Sequence, residues 1–215
     1  MKRLFIKTLV ILTLNAICGC QAQAQSWLHY YGLIDTNLSS VLNLSMTTTH
    51  DGGFIMAGAK GDSIEIIRTD SEGIEQWNKK VVTPLANYNE IDIVPISNGN
   101  FMIRVVSVID FPVFTTFLTI DNLGNLFSMI ELTGDGAYTD FVMTADENLV
   151  TFQNTFDSNI EVSKFDLDGN EIWTIVHNLS AQDVGVCIIN TPDGGFLLSG
   201  SKLSATGSVG FLLKL

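Results

Sequence analysis

The chain returns to nearly the same turn four times. Asp51-Gly52-Gly53-Phe54, Asn98-Gly99-Asn100-Phe101, Asp146-Glu147-Asn148-Leu149 and Asp193-Gly194-Gly195-Phe196 place an apolar residue at 54, 101, 149 and 196, at intervals of 47, 48 and 47. A period of this length marks an array of supersecondary units, each of which needs a neighbour to cover its apolar face. That requirement constrains the fold more tightly than any local propensity.

Each unit has the same internal order. An alternating strand runs into the Asp-Gly or Asn-Gly pair, where Gly, Asn and Asp tolerate the positive φ of a tight turn. Second strands are expected over 54–58, 101–106, 149–153 and 196–200, and third strands over 64–69, 117–120, 160–165 and 210–215. Further turns follow at Asp70-Ser71-Glu72-Gly73, Asp121-Asn122-Leu123-Gly124 and Asp166-Leu167-Asp168-Gly169, each before a fourth strand that carries Trp77, Phe127 or Trp173. Segments such as Ile91-Asp92-Ile93 and Ile160-Glu161-Val162-Ser163 alternate with the period-2 pattern of half-buried strands. Four short antiparallel strands per unit is the plan of a propeller blade. The expected fold is therefore all-β: one domain over 25–215, a β-propeller with four blades of four antiparallel strands.

The two ends are complementary. Ser26-Trp27-Leu28-His29-Tyr30-Tyr31 reads as a fourth strand without a blade, and the last unit stops after its third strand at Leu215. Pairing the two would close the last blade with the N-terminal strand and hide two sheet edges. The alternative is the same pairing between two chains, giving an eight-bladed homodimer rather than a monomer.

Residues 1–24 have the grammar of a signal peptide. Met1-Lys2-Arg3 and Lys7 give a basic start, and an apolar run over 8–17 is far short of the roughly 20 residues that span a bilayer. Ala22-Gln23-Ala24 suits ordinary signal peptidase, whereas Ile17-Cys18-Gly19-Cys20 resembles a lipobox with lipidation at Cys20. Both routes export the domain, as an outer-membrane lipoprotein or as a periplasmic or extracellular protein. Export leaves Cys187 as the one thiol of the globular part, expected to be buried and inert. It also leaves eight Lys and Arg against 23 Asp and Glu, a formal charge of −15. Such a surface repels phosphate backbones, so nucleic acid is excluded as a partner, and membrane contact is expected only through a lipid anchor.

The recurring Asp-Gly-Gly-Phe, the Ala57-Gly58 or Ser199-Gly200 that follows, and Arg68-Thr69-Asp70 or Lys164-Phe165-Asp166 resemble the β-propeller repeats of secreted proteins in Bacteroidota and related bacteria. The resemblance covers residues 27–215 and implies a fold rather than an activity. Asp70-x-x-Gly73-x-x-x-Trp77 and Asp166-x-x-Gly169-x-x-x-Trp173 also look like the docking motif of quinoprotein-type propellers, in which Trp packs between blades. No quinone or other cofactor is carried over, because such enzymes use about eight blades and a metal site not seen in these residues.

Function in rigid scaffolds concentrates where loops vary. The turns between strands one and two, and three and four, are short and alike, so that face is expected to be structural. The opposite face carries acids beside aromatics. Candidate ligand-binding residues there are Tyr88, Asp110, Phe111, Tyr138, Phe156, Asp157 and Asp183. Asp166, Asp168 and Asn170 form a weak calcium candidate, since alternating oxygen ligands suit a hard cation; the histidines lie apart from one another, and no other metal site is expected. The expected function is an exported, non-enzymatic propeller that binds a protein, peptide or glycan through its variable loops. One alternative is a small glycan-active hydrolase or lyase that uses acids near the ring axis, Asp110, Asp140, Asp157 and Asp183. The other is a lipoprotein scaffold in outer-membrane assembly.

Overall fold

The computed structural model describes residues 28, 29, 31, 44–60, 63–82, 88–107, 113–134 and 136–215. The signal segment with Cys20, and the candidates Asp110 and Phe111, lie outside the described residues. So do Ser26, Trp27 and Tyr30 of the expected N-terminal strand. Among the described residues no helix is long and apolar enough to cross a membrane.

Among the described residues fifteen strands form four antiparallel sheets, each a meander in chain order. The first sheet contains β1 (Leu44–Thr48), β2 (Phe54–Lys60), β3 (Ser63–Thr69) and β4 (Glu75–Val82). The second contains β5 (Tyr88–Pro95), β6 (Phe101–Ser107), β7 (Val113–Ile120) and β8 (Leu126–Gly134). The third contains β9 (Tyr138–Met143), β10 (Leu149–Asn154), β11 (Ile160–Phe165) and β12 (Glu171–His177). The fourth has three strands, β13 (Asp183–Asn190), β14 (Phe196–Ser204) and β15 (Gly207–Lys214).

Turn chemistry sets these boundaries. In the first, third and fourth sheets the residue closing the turn between strands one and two has positive φ: Gly52, Glu147 and Gly194. The second sheet uses Asn98 and Gly99, both at positive φ, in a short 3₁₀ turn over Ser97–Gly99. Asn is the side chain that best tolerates this region after Gly.

Consecutive sheets pack face to face through three apolar clusters. The first joins Ile55, Ala57, Ile64 and Ile66 to Ile91, Ile93, Ile103 and Leu118. Next, Met102, Phe117 and Ile130 meet Tyr138, Phe141, Leu149 and Phe165. The third puts Val150, Phe152, Ile160 and Val162 against Ile188, Phe196 and Leu198. The middle sheets thus bury both faces, which is why β6 is buried along its whole length and β10 up to its last residue, polar positions such as Arg104 and Thr151 included. Phe117 and Phe141 meet edge to face, with ring centroids 5.2 Å apart.

Neighbouring sheets are also pinned at their outer strands. The ring of Trp77 on β4 lies over Gly124, where an added Cβ would stand 2.8 Å from it. Ser128 on β8 occupies the register of Trp77 and donates to the carbonyl of Leu167, while Phe127, expected to take the Trp role, is exposed. Trp docking therefore belongs to the position four residues after the turn glycine, whatever residue fills it.

The N-terminal strand expected to close the last blade falls largely outside the described residues, and among those described no apolar cluster joins the first sheet to the last. Met46 of the first sheet is 65 % exposed and Leu212 of the last is 71 % exposed.

Phe117→Ala should cost about 3–5 kcal/mol in urea unfolding because its cavity opens between two sheets. Phe127→Ala should stay within about 0.5 kcal/mol.

Candidate functional site

The ends of the inner strands β5, β9 and β13, together with the turns that follow them, border a groove of about 880 Å³. Its floor is apolar: Phe141, Val142, Trp173 and Phe196, with the Trp173 and Phe196 rings 6.3 Å apart and inclined at 49°. Its rim is polar: Asp146, Glu147, Lys164 and Asn190. Two smaller grooves of about 510 and 420 Å³ lie at the junction of the first and second sheets, lined by His50, Asp51, Arg68 and Asn98, and by Thr48, Ile96 and Asn100 respectively. All three lie on the face of short, similar turns, the face expected to be structural.

A turn acid paired with a third-strand cation recurs along this face. Asp51 pairs with Arg68 at 2.7 Å, Asp146 with Lys164 at 2.9 Å and Asp193 with Lys214 at 3.2 Å. The second sheet lacks both partners together, since Asn98 takes the acid's place in the turn and Thr119 the cation's place on β7. These pairs are solvated and screened, so their role is orientation more than stability. Arg68 also donates to the carbonyl of Asn122, and Glu147 accepts from Ser97 at 2.7 Å and Asn98 at 3.1 Å, so turns of adjacent sheets are latched together.

Hydrogen bonding holds the rim acids ionised. The Thr144 hydroxyl and the Lys164 ammonium hold the Asp146 carboxyl well below the ordinary carboxylate range. The Thr191 hydroxyl, then Lys214, bring Asp193 down to about 2. In Asp51 the Thr49 hydroxyl outweighs desolvation and Arg68 adds to the lowering.

The sequence-predicted residues separate into different environments. Tyr88 and Tyr138, expected on exposed loops, instead begin β5 and β9 and are buried. Burial, reinforced by Glu161 and Glu171, pushes the Tyr138 phenol up to about 12. Its carbonyl accepts from the buried Arg104 at 2.6 Å, and Arg104 also pairs with Asp92 and with Glu90 at 2.8 Å. Asp183, also expected on a loop, begins β13 and is buried; its carboxylate accepts from the Ser180 hydroxyl at 2.6 Å and from the N–H groups of Leu179 and Ser180. Burial alone would raise that carboxyl, but these donors hold it below its ordinary value. These three placements share one cause, because the inner strands extend further than the turn signals marked and bury what precedes them.

Phe156 and Asp157 are exposed, in a tight turn with Ser158 at positive φ. The Asp183 N–H donates to the Ser158 carbonyl at 3.2 Å, so the 156–158 turn and the start of β13 are brought together. Asp140 sits elsewhere, on β9, and accepts the Ile188 N–H of the next sheet at 2.9 Å.

The calcium candidate is a turn that bonds to itself. Asp166 accepts the N–H groups of Asp168 and Asn170 and the Asn170 amide, at 2.8 to 3.0 Å. Asp70 and Asp121 do the same in their turns, and no group of three or more metal-ligating side chains occurs among the described residues. Cys187 is exposed rather than buried, although burial and the neighbouring Asp140 raise its thiol pKa.

Asp146, Lys164 and Trp173 were missed as site residues, although their signal was present in the sequence. A basic residue two places before the Asp that follows the third strand accompanies the turn acid in the first and third units, but pairing alone does not say which junction opens into a groove.

No protein-family model matches the chain, and no curated protein matches it. The fold is similar to solved bacterial structures. A protein of unknown function from Bacteroides caccae aligns with a TM-score of 0.50 and 16 % identity, over 79 % of this chain and 59 % of its own. One of unknown function from Dyadobacter fermentans aligns with a TM-score of 0.50 and 14 % identity, over 80 % of this chain and 60 % of its own. A candidate exo-beta-1,3-galactanase from Bifidobacterium bifidum aligns with a TM-score of 0.53 and 11 % identity, over 80 % and 67 %. At these identities the likeness is one of fold, and the chain spans about three fifths of the first and second of these proteins.

The Asp193 carboxyl should titrate near 2 by NMR, and Lys214→Met should move it up towards the ordinary value near 4. Because the folded value is the lower one, the stabilising contribution is present above about pH 4 and is lost as pH falls towards 2.

Proposed function

We propose that the chain is an exported, non-enzymatic binding module of propeller type, and that it holds a glycan or peptide segment in the groove between its second, third and fourth sheets. The observation that carries this reading is the groove itself, an apolar floor of Trp173, Phe196 and Phe141 beneath a rim of Asp146, Lys164, Glu147 and Asn190. Flat apolar surface beneath a few fixed polar groups is the usual construction of a small-ligand site. A sugar ring or an aromatic side chain can stack on Trp173 while its polar groups reach the rim.

The rim favours binding over chemistry. Asp146 is ionised and engaged by Lys164 and Asn148, and Glu147 is engaged by Ser97 and Asn98. A general acid needs a raised pKa near the working pH, whereas Asp146 is shifted the other way. Export follows from the basic, apolar start of the chain, and a diacylated Cys20 would hold the module at a membrane surface.

The test is calorimetric titration of the mature protein with cell-wall oligosaccharides and with unstructured peptides. Trp173→Ala should weaken binding at least tenfold and Trp173→Phe should retain most of it, while Phe156→Ala, on the opposite face, should leave affinity unchanged. Binding that survives Trp173→Ala but is lost in Phe156→Ala would move the site to the variable loops.

A further inference from the structure

We infer that the exposed outer face of the last sheet is an interface for the first sheet of a second copy of this chain, so that two copies complete one ring of eight sheets. The inference concerns assembly and stands apart from the ligand reading, although it rests on the propeller reading of the stack.

The argument comes from equivalent positions. Strand register places Ile66, Phe117, Val162 and Leu212 at the same point of their third strands, opposite Ala57, Arg104, Phe152 and Ser199. In the first three sheets this residue points at the following sheet and is 0 % exposed; Leu212 has the same placement and is 71 % exposed. The inner strands show the converse. Met46, Ile93, Phe141 and Ile188 share one register, opposite Met56, Ile103, Thr151 and Leu198. Ile93, Phe141 and Ile188 point at the preceding sheet and are 6 % exposed or less, whereas Met46 is 65 % exposed. Val184, Ile189 and Leu212 on the last sheet, with Leu44 and Met46 on the first, are thus the two unmated halves of an interface that the chain builds three times internally. Apolar surface repeated in this way on both terminal sheets is unusual on a lone soluble molecule.

The outer strands supply an independent observation. Each turn between strands three and four is capped from the fourth strand of the sheet before it: Trp77 lies over Gly124, and Ser128 donates to Leu167. The corresponding turn of the first sheet is capped as well, by the Tyr31 hydroxyl, which donates to the Gly73 carbonyl. Tyr31 comes from ahead of the first sheet, so it stands where the fourth strand of a preceding sheet would stand. The fourth sheet has three strands among the described residues, with β15 at its edge. A second copy resolves both features together, since its last sheet covers Met46 and its β15 lies on the side of the first sheet where Tyr31 stands. Contact of this kind is heterologous, joining the last sheet of one copy to the first of the other, and it closes when two copies complete the rotation.

Light scattering coupled to gel filtration on the mature protein, with the denatured mass as reference, tests the assembly. The expected native mass is twice that of one chain at micromolar concentration. Leu212→Asp and Met46→Asp should each reduce it to one chain, and circular dichroism should stay unchanged because both side chains are exposed in the single copy. Val176→Asp, exposed on the outer strand of the third sheet, should leave the two-chain mass intact. An equimolar mixture of the Leu212→Asp and Met46→Asp proteins should regain a two-chain species, because one wild-type interface survives in the mixed pair. A native mass equal to the denatured mass overturns the inference, the faces then being covered within one chain or left open. So does a two-chain mass indifferent to both substitutions, or a polymer of many copies. None of these outcomes alters the Trp173 titration, which decides the ligand reading separately.

Discussion

Burial of both faces of a thin antiparallel sheet is the constraint on which the other features of this structure depend. A sheet of four short strands has too little apolar surface on one side to offset the entropy of ordering its chain. Stacking removes the difficulty, because each added sheet buries a face of its neighbour as well as one of its own. The three clusters centred on Ile66, Phe117 and Phe152 are the result. Most turns, ion pairs and grooves gather at the ends of the strands, although Arg104, Thr116 and Thr151 stay buried within them.

That gathering explains why the candidate site sits among the repeated turns. The turns are alike because each must reverse direction in the same few residues, often through a residue at positive φ. They are not inert for that reason. At this end Glu147 accepts from Ser97 of the neighbouring sheet, and Arg68 donates to the carbonyl of Asn122. Gaps between latches become grooves, and the gap floored by Trp173 and Phe196 is the deepest chemically, with aromatic area below and fixed charge above.

Individual residues show how far local pattern reaches. Asp51, Asp146 and Asp193 were legible as turn residues because the chemistry of a turn is settled within four or five positions. The alternation at Ile160-Glu161-Val162 was legible as a strand for the same reason. Tyr88, Tyr138 and Asp183 were not legible, since whether a residue before a strand is loop or strand depends on what a neighbouring sheet offers it. Tyr138 becomes part of β9 because Thr115 and Arg104, from the second sheet, engage its N–H and carbonyl. Cys187 looked buried from its apolar neighbours, yet it is exposed on β13, in the last of the described sheets.

By itself the sequence determined that this protein is built from β-strands in four similar units with tight Asx- and Gly-based turns, because period and turn chemistry are local. It also determined an acidic net charge, a property of composition, and its basic, apolar first residues set the expectation of export. Tertiary structure alone decided which faces are covered, which junction opens into a groove, and that Met46 and Leu212 stand exposed on the first and last described sheets. Those outcomes depend on the angle and distance at which whole sheets meet, and no short window of residues carries that information.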